Sequence, residues 1–155
     1  MRIAVGTDHG GYLLKETIIA VIRETGHEAL DFGTDSEDPV DYPDFAEKVG
    51  SAIKSGKADR GIVICGSGVG ICIAANKMQG IWAAICHDSY SAKQGVEHDN
   101  MNVLCLGGRI IGTELAKLLV QSFLDARFVG EDQGQERHKR RVEKVKKLEK
   151  EGKQS

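Results

Sequence analysis

Short apolar runs alternate with longer amphipathic stretches along this chain. The apolar runs are rich in β-branched residues, which is typical of strands buried on both faces of a parallel sheet. They predict strands over residues 2–6, 28–32, 62–65, 81–86 and 102–106. A glycine-rich or polar turn follows each run, so the pattern separates the strands from the segments that connect them.

The longer stretches carry apolar residues at helical spacing. They predict helices after Gly11 through residue 25 and over residues 44–55, 71–78, 87–97, 112–127 and 137–150. Gly26 is placed to end the first helix, Pro43 to open the second, and Asp88 or Ser89 to cap the fourth. The residues expected on buried faces are Leu13, Leu14, Ile18, Val21 and Ile22 in the first helix, Leu115, Leu118, Leu119 and Phe123 in the fifth, and Val142, Val145 and Leu148 in the last.

Strands that alternate with helices favour an α/β fold. We expect a three-layer α/β/α sandwich around a five-stranded parallel, Rossmann-like sheet. A Rossmann-like strand order is favoured over the flavodoxin order, but the pattern does not decide between them. No linker or repeat interrupts residues 1–150, which predicts a single domain, with residues 151–155 as a flexible tail.

Composition and charge exclude several classes of protein. The chain has 155 residues and a formal net charge of −2, so it carries no overall positive field for nucleic acid. Its apolar runs are too short to span a bilayer, and the first strand begins without a preceding signal peptide. We therefore expect no nucleic-acid or membrane partner and a cytoplasmic location. The four cysteines form no C-x-x-C pair and have no histidine cluster at zinc spacing, so no metal site is expected.

The stretch Cys65-Gly66-Ser67-Gly68-Val69-Gly70 carries the strongest chemical signal. A strand that breaks into alternating glycines before a helix presents several backbone N–H groups to one point, and such a loop binds an anion. No lysine follows the glycines, and their spacing does not match G-x-G-x-x-G, so neither a Walker loop nor a dinucleotide site is indicated. Cys65 beside these donors is a candidate base or nucleophile. The alternative is a tight turn with a buried structural cysteine.

Other polar residues lie near the ends of predicted strands. Asp8 and His9 follow the first strand, Arg109 follows the fifth, and His98 lies in a polar turn before the fifth. Because turns after parallel strands open at one edge of a sheet, we expect most of these residues to meet Cys65 at one cleft. Asp8 would bind substrate hydroxyls, His9 an anion, and His98 would transfer protons near neutral pH. The alternatives are a helix cap for Asp8 and solvated surface histidines.

Arg137 and Arg141 are four residues apart and share one face of the last helix. They stand at its start, where the helix dipole disfavours cations, and His138 and Arg140 add to that conflict. A bound phosphate would relieve it, because arginine side chains suit phosphate geometry. The alternative is a solvated basic face.

Together these residues resemble the ribose-5-phosphate isomerase B family, which is related to the galactose-6-phosphate isomerase subunits. The matching motifs are Thr-Asp-His-Gly-Gly at 7–11, Asp-Tyr-Pro at 41–43, Cys-Gly-Ser-Gly-Val-Gly at 65–70, Ala-Ala-Asn-Lys at 74–77, Glu-His with its asparagine-rich tail at 97–102, Gly-Gly-Arg at 107–109 and Arg-His-x-x-Arg at 137–141. Each motif alone is weak, but seven in the right order between residues 2 and 149 are a strong signal.

The resemblance implies an enzyme that interconverts an aldose phosphate and a ketose phosphate without metal or cofactor. Carried over, Cys65 would move a proton between C1 and C2, and the N–H groups of residues 67–70 would stabilise the enediolate. His98 would open the sugar ring, with Ser67 or Asp8 assisting. The substrate-binding residues expected in this way are Asp8, His9, Tyr42, Gly66, Ser67, Gly68, Val69, Gly70, Asp99, Arg109, Arg137 and Arg141, with His9 and the three arginines on the phosphate.

The resemblance also implies a homodimer or homotetramer with sites at the subunit interface, so some of the arginines would come from a partner chain. The last helix, residues 137–150, would then pack on that partner.

Two features depart from the family pattern. Asp99 stands where the family usually has asparagine, which leaves the preferred sugar open. The loop at residues 129–136 is longer than usual, which would move Arg137 and Arg141 or lengthen a lid over the site.

Ribose 5-phosphate and ribulose 5-phosphate are the leading substrate pair. An isomerase of allose 6-phosphate or galactose 6-phosphate is the nearest alternative. A non-catalytic nucleotide-binding module is a further one, and a thiol redox protein is disfavoured because no resolving cysteine lies near Cys65.

Overall fold

A parallel five-stranded sheet forms the centre of the computed structural model, which describes residues 1–152. The strands are β1 (Arg2–Thr7), β2 (Glu28–Asp31), β3 (Arg60–Cys65), β4 (Ala83–Ile85) and β5 (Val103–Gly107). The helices are α1 (Tyr12–Glu24), α2 (Tyr42–Lys54), α3 (Val69–Ala75), α4 (Ser89–Asp99), α5 (Thr113–Asp125) and α6 (Glu136–Glu151). The predicted fold class is confirmed. The predicted flexible tail falls partly on α6, and residues 153–155 lie outside the described part of the chain.

The strands lie in the order β2-β1-β3-β5-β4. The chain leaves β1 toward one edge of the sheet and leaves β3 toward the other edge. Because β1 lies between β2 and β3, as in the flavodoxin order, the favoured Rossmann-like order is wrong, and the exchange of β4 and β5 distinguishes this sheet from the flavodoxin order as well. Thr7 at the end of β1 pairs with Ile64, and Cys65 at the end of β3 pairs with Gly107 of β5. The carboxyl ends of three central strands therefore meet at the point where the chain changes direction, which is where open α/β sheets bind ligands.

Alternate residues of the central strands point into two separate apolar cores. Ile62 and Ile64 of β3 face α1, α4 and α5, whereas Val63 and Cys65 face α2 and α3. This is the period of two that a strand imposes on its side chains. The helix that follows β1 and the helix that follows β3 consequently lie on opposite faces, and a crevice opens between them above Cys65.

The predicted buried faces of α1 and α5 are largely confirmed, with one wrong assignment in each, whereas the face predicted for α6 is mostly exposed. Leu14, Ile18, Val21 and Ile22 of α1 and Leu119 and Phe123 of α5 are buried. Leu13 is 75% exposed and Leu118 is 48% exposed. Each lies next to a core residue in sequence, about 100° away around the helix, which turns its side chain outward. On α6, only Val142 of the predicted stripe is buried.

The end of α4 differs from the prediction in a way that affects the site. Asp88 caps the helix by accepting the N–H of Ser91 at 2.7 Å, as one of the two predicted caps. The helix continues to Asp99 and ends at Asn100, which has a left-handed φ of 55°. Asparagine tolerates this conformation better than most residues. His98 therefore lies in the last turn of a helix and not in the predicted polar turn.

Candidate active site

Cys65 is the last residue of β3 and lies at the bottom of a cleft of about 390 Å³. Its side chain is buried apart from this opening, and Sγ accepts the backbone N–H of Gly68 at 3.2 Å. The residues that line the cleft are Asp8, Tyr42, Cys65, Gly66, Ser67, Gly70, Arg109 and Ile110. The predicted thiol therefore opens to the cleft and accepts a hydrogen bond from the loop.

Glycines let the loop after β3 take a left-handed backbone conformation and approach its neighbours closely. Gly68 has a φ of +81°, and a Cβ there would lie 3.0 Å from the carbonyl carbon of Leu106. A Cβ on Gly70 would lie 2.8 Å from Cζ of Tyr42, so the tyrosine ring covers this part of the loop. The hydroxyl of Ser67 accepts the N–H of Val69 at 3.2 Å. The first backbone bond of α3 joins the N–H of Cys72 to Gly68, so the three preceding N–H groups point out of the helix start.

Asp8 stands beside this loop at the end of β1. Its Oδ1 accepts the N–H groups of Gly10 at 2.8 Å and Gly11 at 3.2 Å, which fixes the carboxylate at the mouth of the cleft. A Cβ on Gly10 would lie 2.7 Å from the nitrogen of Gly66. The loops after β1 and β3 therefore touch, and only glycine allows that approach.

His9 is oriented by the loop between β2 and α2. Its Nδ1 accepts the N–H of Val40 at 3.2 Å. That contact places the proton of the neutral ring on Nε2, which is then a donor. His9 does not line the cleft itself.

Arg109 follows β5 and lies over the glycine loop. Its Nη1 is 3.2 Å from the position of a Cβ on Gly66, and its own N–H donates to the carbonyl of Gly66 at 3.0 Å. The N–H of Gly108 donates to the carbonyl of Cys65 at 2.8 Å. The turn after β5 is thus bonded to the end of β3, and it brings a guanidinium to the rim of the cleft.

His98 lies at the opposite edge of the sheet from Cys65. Helix α4 runs antiparallel to β5, so its last turn returns to the amino-terminal edge, and β5 separates the two edges by about 13 Å. Gln94 Nε2 donates to His98 Nδ1 at 3.0 Å, which puts the proton of the neutral imidazole on Nε2. The expectation that His98 meets Cys65 at one cleft is therefore wrong for a single chain.

A second group of polar residues surrounds His98. The ring of His138, near the start of α6, stacks on it with centroids 4.0 Å apart and an interplanar angle of 18°. Arg137, exposed at the start of α6, donates from Nη1 to the carbonyl of Gly134 at 3.0 Å. Asp99 and Arg141 are also exposed. From the sequence, His138 was expected only to add positive charge, and its contact with His98 was not predicted.

Comparison with known proteins identifies the family. The pattern that describes the ribose/galactose isomerases matches residues 3–145 of this sequence. The chain belongs to the ribose/galactose isomerase family. Ribose-5-phosphate isomerase B of Escherichia coli (strain K12) is 46% identical over 144 residues, which cover 93% of each chain. D-erythrulose-4-phosphate isomerase of Pectobacterium atrosepticum is also 46% identical, over 132 residues that cover 84% of this chain and 86% of that protein.

Solved structures of relatives show the same fold. The structure of ribose-5-phosphate isomerase B from Clostridium thermocellum superimposes with a TM-score of 0.91 at 50% sequence identity, covering 97% of this chain and 99% of that chain. The resemblance stated from the motifs is confirmed, and this chain is an isomerase.

His87 is a residue of this isomerase that the sequence analysis did not select. Its Nε2 accepts the N–H of Gly107, the last residue of β5, at 3.0 Å. Burial lowers the pKa of His87, which keeps Nε2 unprotonated and able to accept. The histidine thereby holds the strand end from which the turn carrying Arg109 begins. Its position directly after a predicted strand was the only available signal.

Cys72, Cys86 and Cys105 lie in apolar runs of the sequence, which is typical of small buried hydrophobic residues. Cys86 and Cys105 are buried, and burial raises the pKa of Cys86 to about 11. Cys72 is only half-buried, and a hydrogen bond from Cys105, with further help from Asn76, lowers its pKa to about 7 against the effect of burial. The interpretation is therefore wrong for Cys72, whose environment became polar only when α3 packed on β5.

The loop before α6 is ordered by its own contacts. Arg127 forms a two-pronged ion pair with Asp132 at 3.0 and 2.8 Å, and Lys139 pairs with Glu131 at 2.9 Å. The N–H of Val129 donates to the carbonyl of Glu97 at 3.0 Å. The longer loop therefore lies against the end of α4, near His98, and not over the Cys65 cleft of its own chain.

Within residues 1–152, no group of three or more histidine, cysteine, aspartate or glutamate side chains could hold a metal ion. None of the helices in that part of the chain is long and apolar enough to cross a membrane.

Proposed function

We propose that this isomerase interconverts ribose 5-phosphate and ribulose 5-phosphate through an enediolate. The observation that carries the proposal is the Cys65 sulfur, which opens into a cleft and accepts a backbone N–H of the glycine loop. Similarity to ribose-5-phosphate isomerase B over nearly the whole chain supports the choice of a pentose phosphate. The proposal includes a cytoplasmic location, where a cysteine base stays reduced.

Cys65 acts as the base in this scheme. Its thiolate takes the proton from C2 of the open-chain aldose and returns it to C1, while the hydroxyl proton passes from O2 to O1. The N–H of Gly68 faces the sulfur and stabilises its negative charge. A positioned base of this kind typically accelerates proton transfer about 10²- to 10⁴-fold.

The glycine loop binds the oxyanion that forms when the proton leaves. The N–H groups at the start of α3 point away from the helix, and Gly70 lines the cleft. Loss of one such donor typically costs roughly 3–4 kcal/mol of transition-state stabilisation. Asp8, held in place by the N–H groups of Gly10 and Gly11, accepts hydrogen bonds from the sugar hydroxyls. Tyr42 covers the site above Gly70.

Ring opening needs a second copy of the chain. His98 suits ring opening because its Nε2–H can donate a hydrogen bond to the ring oxygen, which takes up the proton lost by the C1 hydroxyl as the C1–O4 bond breaks. In a single chain, however, His98 lies at the sheet edge opposite Cys65. A partner chain that brings its own His98 to this Cys65 completes the site. Arg137 and Arg141 lie on the same side of the chain as His98, so they would enter the site with it and meet Arg109 around the phosphate.

A tetrose phosphate is a second candidate substrate, because D-erythrulose-4-phosphate isomerase is as similar in sequence as ribose-5-phosphate isomerase B is to this chain. The two candidates differ chemically. Ribose 5-phosphate closes into a furanose, whereas a tetrose 4-phosphate has its O4 blocked by phosphate and forms no such ring. A histidine that opens rings is useful only to the former.

An assay over a panel of sugar phosphates tests the substrate. The purified chain is incubated with ribose 5-phosphate, D-erythrulose 4-phosphate, allose 6-phosphate and galactose 6-phosphate, and product is followed by chromatography. We expect the highest kcat/KM with ribose 5-phosphate. A higher value with the tetrose or a hexose phosphate would replace the proposed substrate, and strong binding of ATP without any turnover would favour a nucleotide-binding module.

Mixing two variants that are each impaired with cyclic ribose 5-phosphate, and assaying with that substrate, tests the shared site. Cys65→Ala and His98→Asn chains are unfolded together and refolded, so that half of the dimers contain one chain of each kind. A site built from two chains recovers about a quarter of the wild-type sites, because each mixed dimer has one intact Cys65–His98 pair across its two-fold axis. A mixture with no more activity than its separate components would show that Cys65 and His98 do not act across an interface.

A further inference from the structure

The imidazole rings of His98 and His138 face each other. Their centroids are 4.0 Å apart and their planes differ by 18°. His98 is half-buried in the last turn of α4, and His138 is only 3% exposed near the start of α6. This ring pair is a direct contact between the two helices, close to the point where Val129 bonds to Glu97.

The surroundings of His138 favour its neutral form. Burial lowers its pKa, and the charges of His98, Arg137 and Arg141 lower it further, while Asp99 opposes them. Its Nε2 is buried and has no hydrogen-bond partner among residues 1–152. Such a nitrogen costs stability. The face of the ring, in contrast, is in contact with His98.

A ring at this distance constrains His98. It fixes the plane of the His98 imidazole, whose rotation about χ2 is otherwise broad. Gln94 holds the Nδ1 edge of the same ring at 3.0 Å. With one edge and one face fixed, the remaining Nε2–H has a set direction.

We propose that His138 is a positioning residue for His98, whose face-to-face ring aims the His98 Nε2–H at the substrate during ring opening. The inference rests on the proposed function of His98. It concerns the aldose direction alone, because ribose 5-phosphate enters as a ring and ribulose 5-phosphate is already open.

Three substitutions separate the ring contact from simple packing. His138→Phe keeps an aromatic face, His138→Leu keeps apolar volume without that face, and Arg140→Ala is a control at an exposed neighbour on the same helix. Circular dichroism and urea unfolding establish that each variant is folded. Should His138→Leu not fold, His138→Met takes its place, because its flexible side chain fills the same space without an aromatic face.

The first measurement does not depend on catalysis. Proton NMR of the purified wild-type chain, with His98 assigned by comparison with His98→Asn, should show its ring protons shifted upfield by the His138 ring. His138→Phe should keep that shift and His138→Leu should lose it. The absence of the shift in the wild type would refute the stack and with it the inference.

The second measurement is turnover in both directions. We expect His138→Leu to lower kcat for ribose 5-phosphate roughly 10-fold or more, since small misplacements of catalytic groups have large effects. KM should stay nearly constant, and the ribulose 5-phosphate direction should change far less. His138→Phe and Arg140→Ala should remain near wild type in both directions. Full aldose turnover in a folded His138→Leu chain that has lost the shift would overturn the proposal.

Failure of the proposed function has a different signature. If His98→Asn itself leaves turnover of the cyclic aldose unchanged, His98 does not open the ring, even though the NMR shift is present. If His98→Asn is impaired and His138→Leu is not, the function stands and only the positioning role is wrong.

Discussion

The backbone N–H of Gly68 donates a hydrogen bond to the sulfur of Cys65 at 3.2 Å. The contact exists because Gly68 takes a left-handed backbone conformation, with a φ of +81°, immediately before α3 begins. One residue thus turns the chain, starts the helix and supplies a donor to the proposed base. The strand, the loop and the helix are parts of one structure, and a change at either residue should affect both folding and turnover.

Removal of the proposed base should abolish isomerisation. Cys65→Ala is expected to lower kcat about 10²- to 10⁴-fold, the usual contribution of a positioned general base, with a much smaller change in KM. The measurement is steady-state turnover of ribose 5-phosphate. Cys72→Ala is the matched control, since Cys72 is a half-buried thiol that does not line the cleft. Wild-type turnover by Cys65→Ala would remove the cysteine from the mechanism.

Replacement of Gly68 should cost stability as well as activity. In Gly68→Ala, the left-handed backbone costs about 1–2 kcal/mol, and the new Cβ lies 3.0 Å from the carbonyl carbon of Leu106. Gly26→Ala is a matched control, because Gly26 has the same φ of +81° and nothing within 4 Å of the new Cβ. Urea unfolding should show a larger loss for Gly68→Ala. Equal losses would mean that the loop shifts enough to relieve the contact between the new Cβ and Leu106.

The arginines at the start of α6 should act on substrate binding. Arg137→Ala and Arg141→Ala are each expected to raise KM roughly 10-fold, because a charge-assisted hydrogen bond contributes about 1.5–3 kcal/mol, with little change in kcat. Lys147→Ala removes an exposed charge farther along the same helix and should leave KM unchanged. An unchanged KM in both arginine variants would place the phosphate elsewhere.

His87 should make the isomerase less stable in acid. Its pKa is lowered in the folded state, so the unfolded chain binds the proton more readily below the ordinary value of about 6.5. The contribution of His87 to the free energy of unfolding is complete above about pH 6.5 and decreases as the pH falls toward the pKa of His87 in the folded state. His87→Gln removes this titration, and urea unfolding at pH 7 and pH 5 should show a smaller loss than in the wild type. His138 has a lowered pKa too, so part of the acid loss should remain.

Much of the fold could be predicted from local pattern. The strand ends at Thr7 and Cys65 fall within a residue of the prediction, because a buried apolar run followed by polar or glycine residues marks where a parallel strand stops. The prediction of β4 was longer than the observed strand, Ala83–Ile85, because apolar residues on either side pack without pairing. The exposed Leu13 and Leu118 show that helical spacing defines a face only to within about one position.

Part of the site could also be predicted. Asp8, the glycine loop and Arg109 meet at one cleft because the carboxyl ends of β1, β3 and β5 are adjacent, and Tyr42 lines it from the start of α2. The expectation for His98 was wrong for a single chain, since a helix that returns antiparallel to the strands carries its last turn to the other edge. Neither the contact between His98 and His138 nor the bond from Gly107 to His87 has a local signal, because the partners are far apart in sequence.

The sequence by itself determined the α/β class, the glycine loop after β3 and the residue types available for isomerase chemistry. These follow from the spacing of apolar residues along the chain and from the backbone conformations that glycine allows, both of which involve only a few neighbouring residues. The tertiary structure alone decided that Cys65 opens into a cleft and that His98 stands beside His138 at the far edge. These depend on the strand order β2-β1-β3-β5-β4 and on the packing of α6 against α4, which the burial of apolar surface across the whole chain selects.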